Sequence, residues 1–211
     1  MSKDTIDLTS EELQEEDDRG AQMKELETPV LLLAMPQVTS QPFQKSVVLL
    51  LRHDAEEGSL GFIVNRPTDL KVADILKDLE IPWNGDEDLP AYLGGPVNKE
   101  RGTLLYTDDE LLEGDETDLP GIAVSQSLGQ LQELAEKPPG PFRLYLGYAG
   151  WGDGQLEQEI LRNDWLIAPF DPSFLFSEDP DEVWYRAIRS VGIDPAQLPA
   201  WTPPAGAAVA N

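Results

Sequence analysis

Short apolar runs, several of them rich in β-branched residues, alternate with turns that contain glycine or proline along the central part of the chain. Residues 30–35 and 46–52 predict two strands, and the turn at residues 53–59 leads into a third strand at residues 60–65. The second and third runs therefore predict a β-hairpin. Further strands are predicted at residues 102–107, 122–125, 142–147 and 165–168.

Helices are predicted where apolar residues recur at intervals of three and four. The first apolar stripe consists of Val72, Ile75, Leu76 and Leu79, and the second consists of Leu128, Leu131 and Leu134. Thr68 or Asp69 is available as N-cap of the first helix. Residues 155–163 predict a third helix, and the fourth is predicted to begin after Asp179 as N-cap and to end at Gly192.

The order of these elements lacks the regular strand–helix alternation of a doubly wound parallel sheet. The sequence therefore predicts an α+β fold with a mixed, mostly antiparallel sheet and helices beside it. We expect a single domain at residues 29–198. An acidic, disordered N-terminal tail is expected at residues 1–28 and a flexible tail rich in Pro, Ala and Gly at residues 199–211.

The chain is strongly acidic, with 40 acidic and 15 basic residues among 211 and a net charge of -25. The negative electrostatic field of so acidic a protein repels DNA and anionic membranes, so neither is expected as a direct partner. The absence of cysteine excludes disulfides, thiolate nucleophiles and zinc–thiolate sites. Residues 1–18 lack the pattern of a secretory signal, and the apolar runs are shorter than a membrane span, so a cytoplasmic location is expected.

Three groups of residues raise the question of catalysis or metal binding. His53, the only histidine, precedes Asp54 in a predicted surface turn, but adjacent side chains in extended chain point to opposite sides and no G-x-S-x-G elbow is present. The acidic residues at 108–115 do not match the calcium-loop pattern. Asp153 and Glu157 have the spacing of a general acid–base pair, and equally that of carboxylates beside a helix N-terminus. No catalytic residue, metal ligand or cofactor is assigned.

Three segments are predicted to form a ligand-binding groove. Arg66 follows Asn65 at a strand end, and an arginine there suits bidentate contact with a carboxylate or phosphate. Glycines 94 and 95 impose a sharp turn, and a second glycine-rich turn precedes the third helix. That turn fails the dinucleotide fingerprint and carries Asp153, which argues against a phosphate. The candidate ligand-binding residues are Asn65, Arg66, Gly94, Gly95, Pro96, Gly150, Trp151, Gly154, Gln155 and Glu157.

Several of these stretches resemble the AlgH/YqgE family of bacterial proteins. The matching segments are P-V-L-L-L-A-M-P from residue 29, F-Q-K-S-V-V-L-L-L-R-H-D from residue 43, G-F-I-V-N-R-P from residue 61, G-G-P-V from residue 94, G-Y-A-G-W-G-D-G-Q-L-E-Q-E from residue 147 and N-D-W-L from residue 163. The resemblance implies a branched, partly barrel-like sheet with helices outside it. The family is labelled as transcriptional regulators, so the resemblance also implies a regulatory role. It identifies no catalytic residue.

The leading hypothesis is a non-enzymatic, regulatory binding module for a small anionic ligand or a protein segment. One alternative is a hydrolase or transferase that uses Asp153 or Glu157 as general base. Another is a transcriptional regulator that acts through partners and not by direct DNA contact, because counterion release requires a basic face.

Overall fold

The computed structural model describes residues 26–107, 116–138, 140–177 and 179–199. Ten strands lie in these ranges: β1 (Val30–Ala34), β2 (Val47–Asp54), β3 (Gly58–Ile63), β4 (Pro67–Lys71), β5 (Pro90–Leu93), β6 (Val97–Thr107), β7 (Glu116–Leu119), β8 (Ile122–Ser125), β9 (Phe142–Trp151) and β10 (Trp165–Pro169). The helices there are α1 (Val72–Asp78), α2 (Leu128–Glu136), α3 (Gln155–Leu161) and α4 (Pro180–Ser190), with 3-10 turns at Pro172–Phe174 and Pro195–Gln197. The predicted tails, 1–28 and 199–211, lie almost wholly outside the described residues.

The strands form one mixed and branched sheet, as predicted. Its main path runs β10-β1-β2-β3-β9-β6-β8-β7 and does not close on itself. The branch occurs at β9, which pairs with β3 near Trp151, with β6 along the opposite edge, and in parallel with β5 at Tyr145 and Leu146. The β5–β9 pairing is the one parallel pairing found within the described residues, so the sheet there is mostly antiparallel.

Both faces of the sheet are buried, which explains why β1 is apolar at every position. Leu31 and Leu33 pack into a core cluster that contains Trp184 of α4, whereas Leu32 and Ala34 pack on the other face against α3. A third cluster holds α1 and α2 against β6, β8 and β9. The indole Nε1 of Trp184 donates a 2.8 Å hydrogen bond to the carbonyl of Ala34, which fixes α4 to the end of β1.

The last helix forms as predicted. Asp179 is its N-cap and accepts a hydrogen bond from the N–H of Glu182, while Gly192 has a φ of 81° just beyond the end. A cap of this kind contributes about 1 kcal/mol. Among the described residues, no helix has both the length and the apolar character needed to cross a membrane.

The predicted N-cap of α1 is wrong. Residues 67–71 form β4 instead, where the Thr68 hydroxyl donates to the carbonyl of Ala91 at 2.8 Å. The helix begins after Lys71 without a side-chain cap. Leu79 and Leu128 were both predicted to face inward, but they are 48% and 55% exposed. Both lie at helix ends, where the helix no longer packs against the sheet.

Candidate functional site

The glycine-rich turn before α3 is shorter than predicted. Gly150 and Trp151 belong to β9 and pair with Leu60 and Ser59 of β3, so the turn itself spans only residues 152–154. Gly154 has a φ of 63°, a conformation that favours glycine, and its N–H donates to the carbonyl of Ala55 in the β2–β3 turn. This arrangement sets the direction in which α3 leaves the sheet.

The carboxylate of Glu159, on α3, lies at the centre of a hydrogen-bond cluster. Its Oε2 accepts from the indole Nε1 of Trp151 and from that of Trp165, each at 2.8 Å. Its Oε1 accepts from the side-chain amide of Gln155 at 2.8 Å, and the amide oxygen of Gln155 in turn accepts from the N–H of Gly152. The cluster therefore joins α3 to the end of β9, to the start of β10 and to the turn between β9 and α3.

A cavity of about 400 Å³, here called the tryptophan cavity, opens beside this cluster. Trp151 and Trp165 pack edge to face with 6.0 Å between ring centroids, and Phe43 packs edge to face on Trp165 at 5.8 Å. Arg162 donates two hydrogen bonds to Asp164. The lining residues are Gln37, Val38, Thr39, Ser40, Phe43, Pro96, Gly150, Trp151, Gln155, Glu159, Arg162, Asp164 and Trp165.

Four of the ten predicted binding residues line the tryptophan cavity, namely Pro96, Gly150, Trp151 and Gln155. Gly94 and Gly95 lie behind it, against the backbone of β9. A Cβ on Gly94 would lie 2.4 Å from the carbonyl oxygen of Gly147, and one on Gly95 would lie 2.1 Å from the carbonyl carbon of Tyr148. These two glycines permit close backbone packing, and ligand contact by them stays a prediction.

Asn65 and Arg66 hold the turn that carries Phe43. The Asn65 side chain accepts from the N–H of Val47 and donates to the carbonyl of Lys45. Arg66 donates to the carbonyls of Pro42, Gln44 and Asn65. Burial lowers the pKa of Arg66, yet guanidinium remains charged in proteins. Both residues therefore support the cavity wall from behind, and a direct ligand contact at Arg66 stays a prediction.

The interpretation of His53 as a surface turn histidine is wrong. His53 lies within β2 opposite Ser59, and its side chain is only 1% exposed. Its Nδ1 is 2.8 Å from the Ser59 hydroxyl, and its Nε2 is 3.7 Å from Oε1 of Glu157. Strand β2 extends farther than the sequence indicates, because residues 52–54 pair with residues 58–60 across the turn at residues 55–57.

Glu157 therefore faces a buried imidazole and lies outside the lining of the tryptophan cavity. Asp153, its predicted acid–base partner, is exposed in the turn before α3. The acidic segment 108–115 lies outside the described residues. Within the described ranges, no group of three or more His, Asp or Glu side chains is arranged to hold a metal ion.

Sequence reasoning missed Glu159, Trp165 and Phe43. Gln155 and Glu159 are four residues apart and so share one face of α3, a signal that was present in the sequence. The convergence of Trp165 and Phe43 depends on the pairing of β1 with β10, which local patterns do not reveal.

Comparison with known proteins places these residues in a family. The AlgH-like family (DUF179) matches residues 31–196. A UPF0301 protein of Methylococcus capsulatus is 41% identical over 167 residues, which are 77% of this chain and 88% of the relative. A UPF0301 protein of Myxococcus xanthus is 39% identical over 177 residues, which are 83% of this chain and 96% of the relative.

Solved structures agree with the observed architecture. The solution structure of AlgH from Pseudomonas aeruginosa matches with a TM-score of 0.68 at 32% identity, and the match covers 80% of this chain and 93% of that one. A crystal structure of protein DIP2367 from Corynebacterium diphtheriae matches with a TM-score of 0.63 at 24% identity over 80% of this chain and 92% of that one, and it supports the fold alone. The chain belongs to the AlgH-like family.

Proposed function

We propose that this protein is a binding protein that holds a small organic cation in the tryptophan cavity. The observation that carries the proposal is the carboxylate of Glu159, which is fixed by three uncharged donors beside two indole rings. A carboxylate offers about four lone-pair positions, so Oε1 of Glu159 retains one acceptor position for a ligand N–H.

The charge of the lining favours a cation over an anion. Arg162 is the only basic residue among the described lining residues, and it pairs with Asp164 at 2.8 Å. Glu159 has no basic partner within the described part of the chain. Aromatic rings attract an alkylammonium group through the negative potential of their faces, by about 0.5–2 kcal/mol. The net charge of -25 adds a long-range attraction for cations.

The size and shape of the cavity suit a small molecule. Its volume of about 400 Å³ lies within the range of about 300–1,000 Å³ that is usual for ligand sites. Aromatic residues supply contact area, whereas the hydroxyls of Thr39 and Ser40 and the amide of Gln37 supply a few polar contacts. That combination is typical of specific binding pockets.

A binding role is favoured over a hydrolase or transferase that uses Asp153 or Glu157. A general base needs hydrogen-bond reach to a substrate proton. Glu157 faces His53 and lies outside the tryptophan cavity, and Asp153 is not among the residues that line it. A regulatory role of the protein would then depend on ligand occupancy and on protein partners, since 15 basic residues against 40 acidic ones argue against direct contact with DNA.

Tryptophan fluorescence tests this proposal, because Trp151 and Trp165 line the cavity. The probes are choline, ethanolamine and 3,3-dimethylbutan-1-ol, the last being an uncharged isostere of choline. We expect the two cations to produce saturable changes and the neutral alcohol to produce none. The response should persist in Trp83→Phe, since Trp83 packs on Phe142 in a different cluster, and should be lost in Trp165→Phe.

Two results would overturn the proposal. One is the absence of a saturable response to either cation up to about 10 mM, which corresponds to less than about 3 kcal/mol of binding energy. The other is equal affinity for choline and its neutral isostere, which would show that the charge of Glu159 plays no part.

A further inference from the structure

A second and larger cavity lies between the β2–β3 hairpin and the β7–β8 hairpin. Its volume is about 720 Å³, and a smaller cavity of about 190 Å³ adjoins it and shares Leu60, Phe62 and Gln126 with it. We call the two together the arginine cleft. Arg52 lines the larger part, and Arg101 and Thr103 line the smaller part.

A β-bulge places Arg52 in the cleft. The register of β2 against β3 shifts between Leu50 and Arg52, so that Leu51 is the extra residue. Neighbouring side chains in a regular strand point to opposite faces, but a bulge redirects them, and here Leu51 and Arg52 line the same cavity. Arg52 is exposed and donates no hydrogen bond to any of the described residues.

Arg101 is held in the smaller part of the cleft. Its Nη2 donates to the side-chain oxygen of Gln126, and the amide of Gln126 donates to the hydroxyl of Thr103 at 3.0 Å. Gln126 lines both parts, so this chain of hydrogen bonds positions Arg101 beside the apolar centre at Leu60 and Phe62. The remaining N–H groups of Arg101 stay available for a ligand.

The charge of the cleft is opposite to that of the protein. The chain has 40 acidic and 15 basic residues, yet the described residues that line the cleft include two arginines and no Asp or Glu. Its floor is apolar, with Leu51, Leu60, Phe62, Leu119 and Val124. Such a lining fits a ligand with an apolar body and an anionic head, because guanidinium groups bind carboxylate and phosphate oxygens in pairs.

We propose that the arginine cleft binds a small amphipathic anion, with its carboxylate or phosphate head at Arg52 or Arg101 and its apolar chain on Leu60 and Phe62. This site is separate from the tryptophan cavity, since the two linings share no residue. The sequence suggested an anion contact at Arg66, whereas the site proposed here lies at two other arginines.

Calorimetric titration with compounds that share one alkyl chain tests the proposal. Decanoate, decyl phosphate and decyltrimethylammonium are titrated below their micelle concentrations, and decanol is titrated below its solubility limit. We expect both anions to bind, and the tighter of them identifies the preferred head group. Decanol should bind at least tenfold more weakly than the tighter anion. Any binding of the cation, whose head group suits the tryptophan cavity, should be unchanged by Arg52→Gln and by Arg101→Gln. Equal affinity of decanol and the tighter anion would overturn the proposal. So would the absence of binding of both anions below 1 mM, a dissociation constant that corresponds to a binding energy of about 4 kcal/mol.

Variants separate a specific site from general electrostatics. Arg52→Gln and Arg101→Gln should each weaken binding of the tighter anion, because a charge-assisted hydrogen bond is lost. At least one of the two variants should lower the affinity by about tenfold or more. Arg189→Gln is the control, since it removes one positive charge on the exposed side of α4, outside the cleft. Equal weakening by all three variants would contradict the proposal.

The two binding proposals fail independently. Titration of decanoate in the presence of 10 mM choline should give the same affinity as titration without it, because the two linings share no residue. A negative choline titration together with specific decanoate binding would reject the cation proposal alone, and the reverse pattern would reject the anion proposal alone.

Discussion

The Nε2 atom of His53 lies 3.7 Å from Oε1 of Glu157, and the two side chains are 1% and 13% exposed. On the other side of the ring, Nδ1 lies 2.8 Å from the Ser59 hydroxyl. The imidazole thus connects α3 to the β2–β3 hairpin. Serine, histidine and an acid meet here in the protein interior. The Ser59 contact has hydrogen-bond length, whereas 3.7 Å is too long for a hydrogen bond, and Oε1 of Glu157 has no hydrogen-bond partner within the described residues.

A double-mutant cycle should detect this connection. We expect His53→Ala and Glu157→Ala to show a coupling energy of about 0.5–3 kcal/mol in urea unfolding, because the two polar side chains are close neighbours in the protein interior. A cycle between His53→Ala and Glu133→Ala is the control, since Glu133 is exposed on α2, whereas His53 lies on β2 and faces α3. Coupling that is equally small in both cycles would contradict a structural role for the pair.

Glu159 should contribute more to stability than an ordinary surface carboxylate. Glu159→Ala removes the acceptor of two indole N–H groups and of the Gln155 amide. A buried donor without a partner costs about 1–3 kcal/mol, so we expect a loss of about 2–4 kcal/mol in the free energy of unfolding. Glu133→Ala, at an exposed helical position, should change it by less than about 0.5 kcal/mol. A Glu159→Ala effect as small as that of the control would show that the indole groups find other partners.

The sequence predicted the elements whose signals are local. The α4 helix followed from Asp179 and Gly192, and the β2–β3 hairpin followed from two apolar runs around one turn. Strand β4 was missed because residues 67–71 are largely exposed and carry no alternating pattern. Strand β5 has only four residues, and it forms through its pairing with β4 and β9.

The candidate site was predicted only in part, and the reason is physical. Trp151 and Gln155 lie in one continuous segment, so proximity along the chain brought them together in the prediction. Trp165 and Phe43 join them through the β1–β10 pairing and through the turn that Arg66 holds. Arg66 itself looked like a ligand contact because it ends a strand without an acid directly beside it in sequence, whereas backbone carbonyls are its actual partners.

Gly95 should be intolerant of any side chain. A Cβ at this position would lie 2.1 Å from the carbonyl carbon of Tyr148, and the backbone of β9 is unable to move away without loss of its pairing with β6. We expect Gly95→Ala to destabilise the protein by about 3 kcal/mol or more, measured by urea unfolding. Gly140→Ala is the matched control, since a Cβ there meets nothing within 4 Å. A Gly95→Ala protein as stable as the Gly140→Ala protein would contradict the close packing of Gly95 against β9.

Asp54 should make a pH-dependent contribution to stability. Its Oδ1 accepts hydrogen bonds from the N–H groups of Glu57 and Glu56, and these bonds hold the pKa of Asp54 below its ordinary value. A carboxyl with a lower pKa in the folded state stabilises the fold above its unfolded pKa of about 3.9 and loses that contribution as the pH falls through the folded pKa. We therefore expect the melting temperature of Asp54→Ala to lie below that of the unmodified protein at pH 7, and the gap to narrow below about pH 4.

The comparison with Asp54→Asn isolates the charge in this effect. Asparagine retains an oxygen acceptor for the Glu56 and Glu57 N–H groups but does not titrate between pH 7 and pH 2. Its melting temperature should exceed that of Asp54→Ala by a similar margin at every pH. A gap between the unmodified protein and Asp54→Ala that stays constant or widens towards low pH would contradict the prediction, because it would mean that the ionised carboxylate is not the stabilising form.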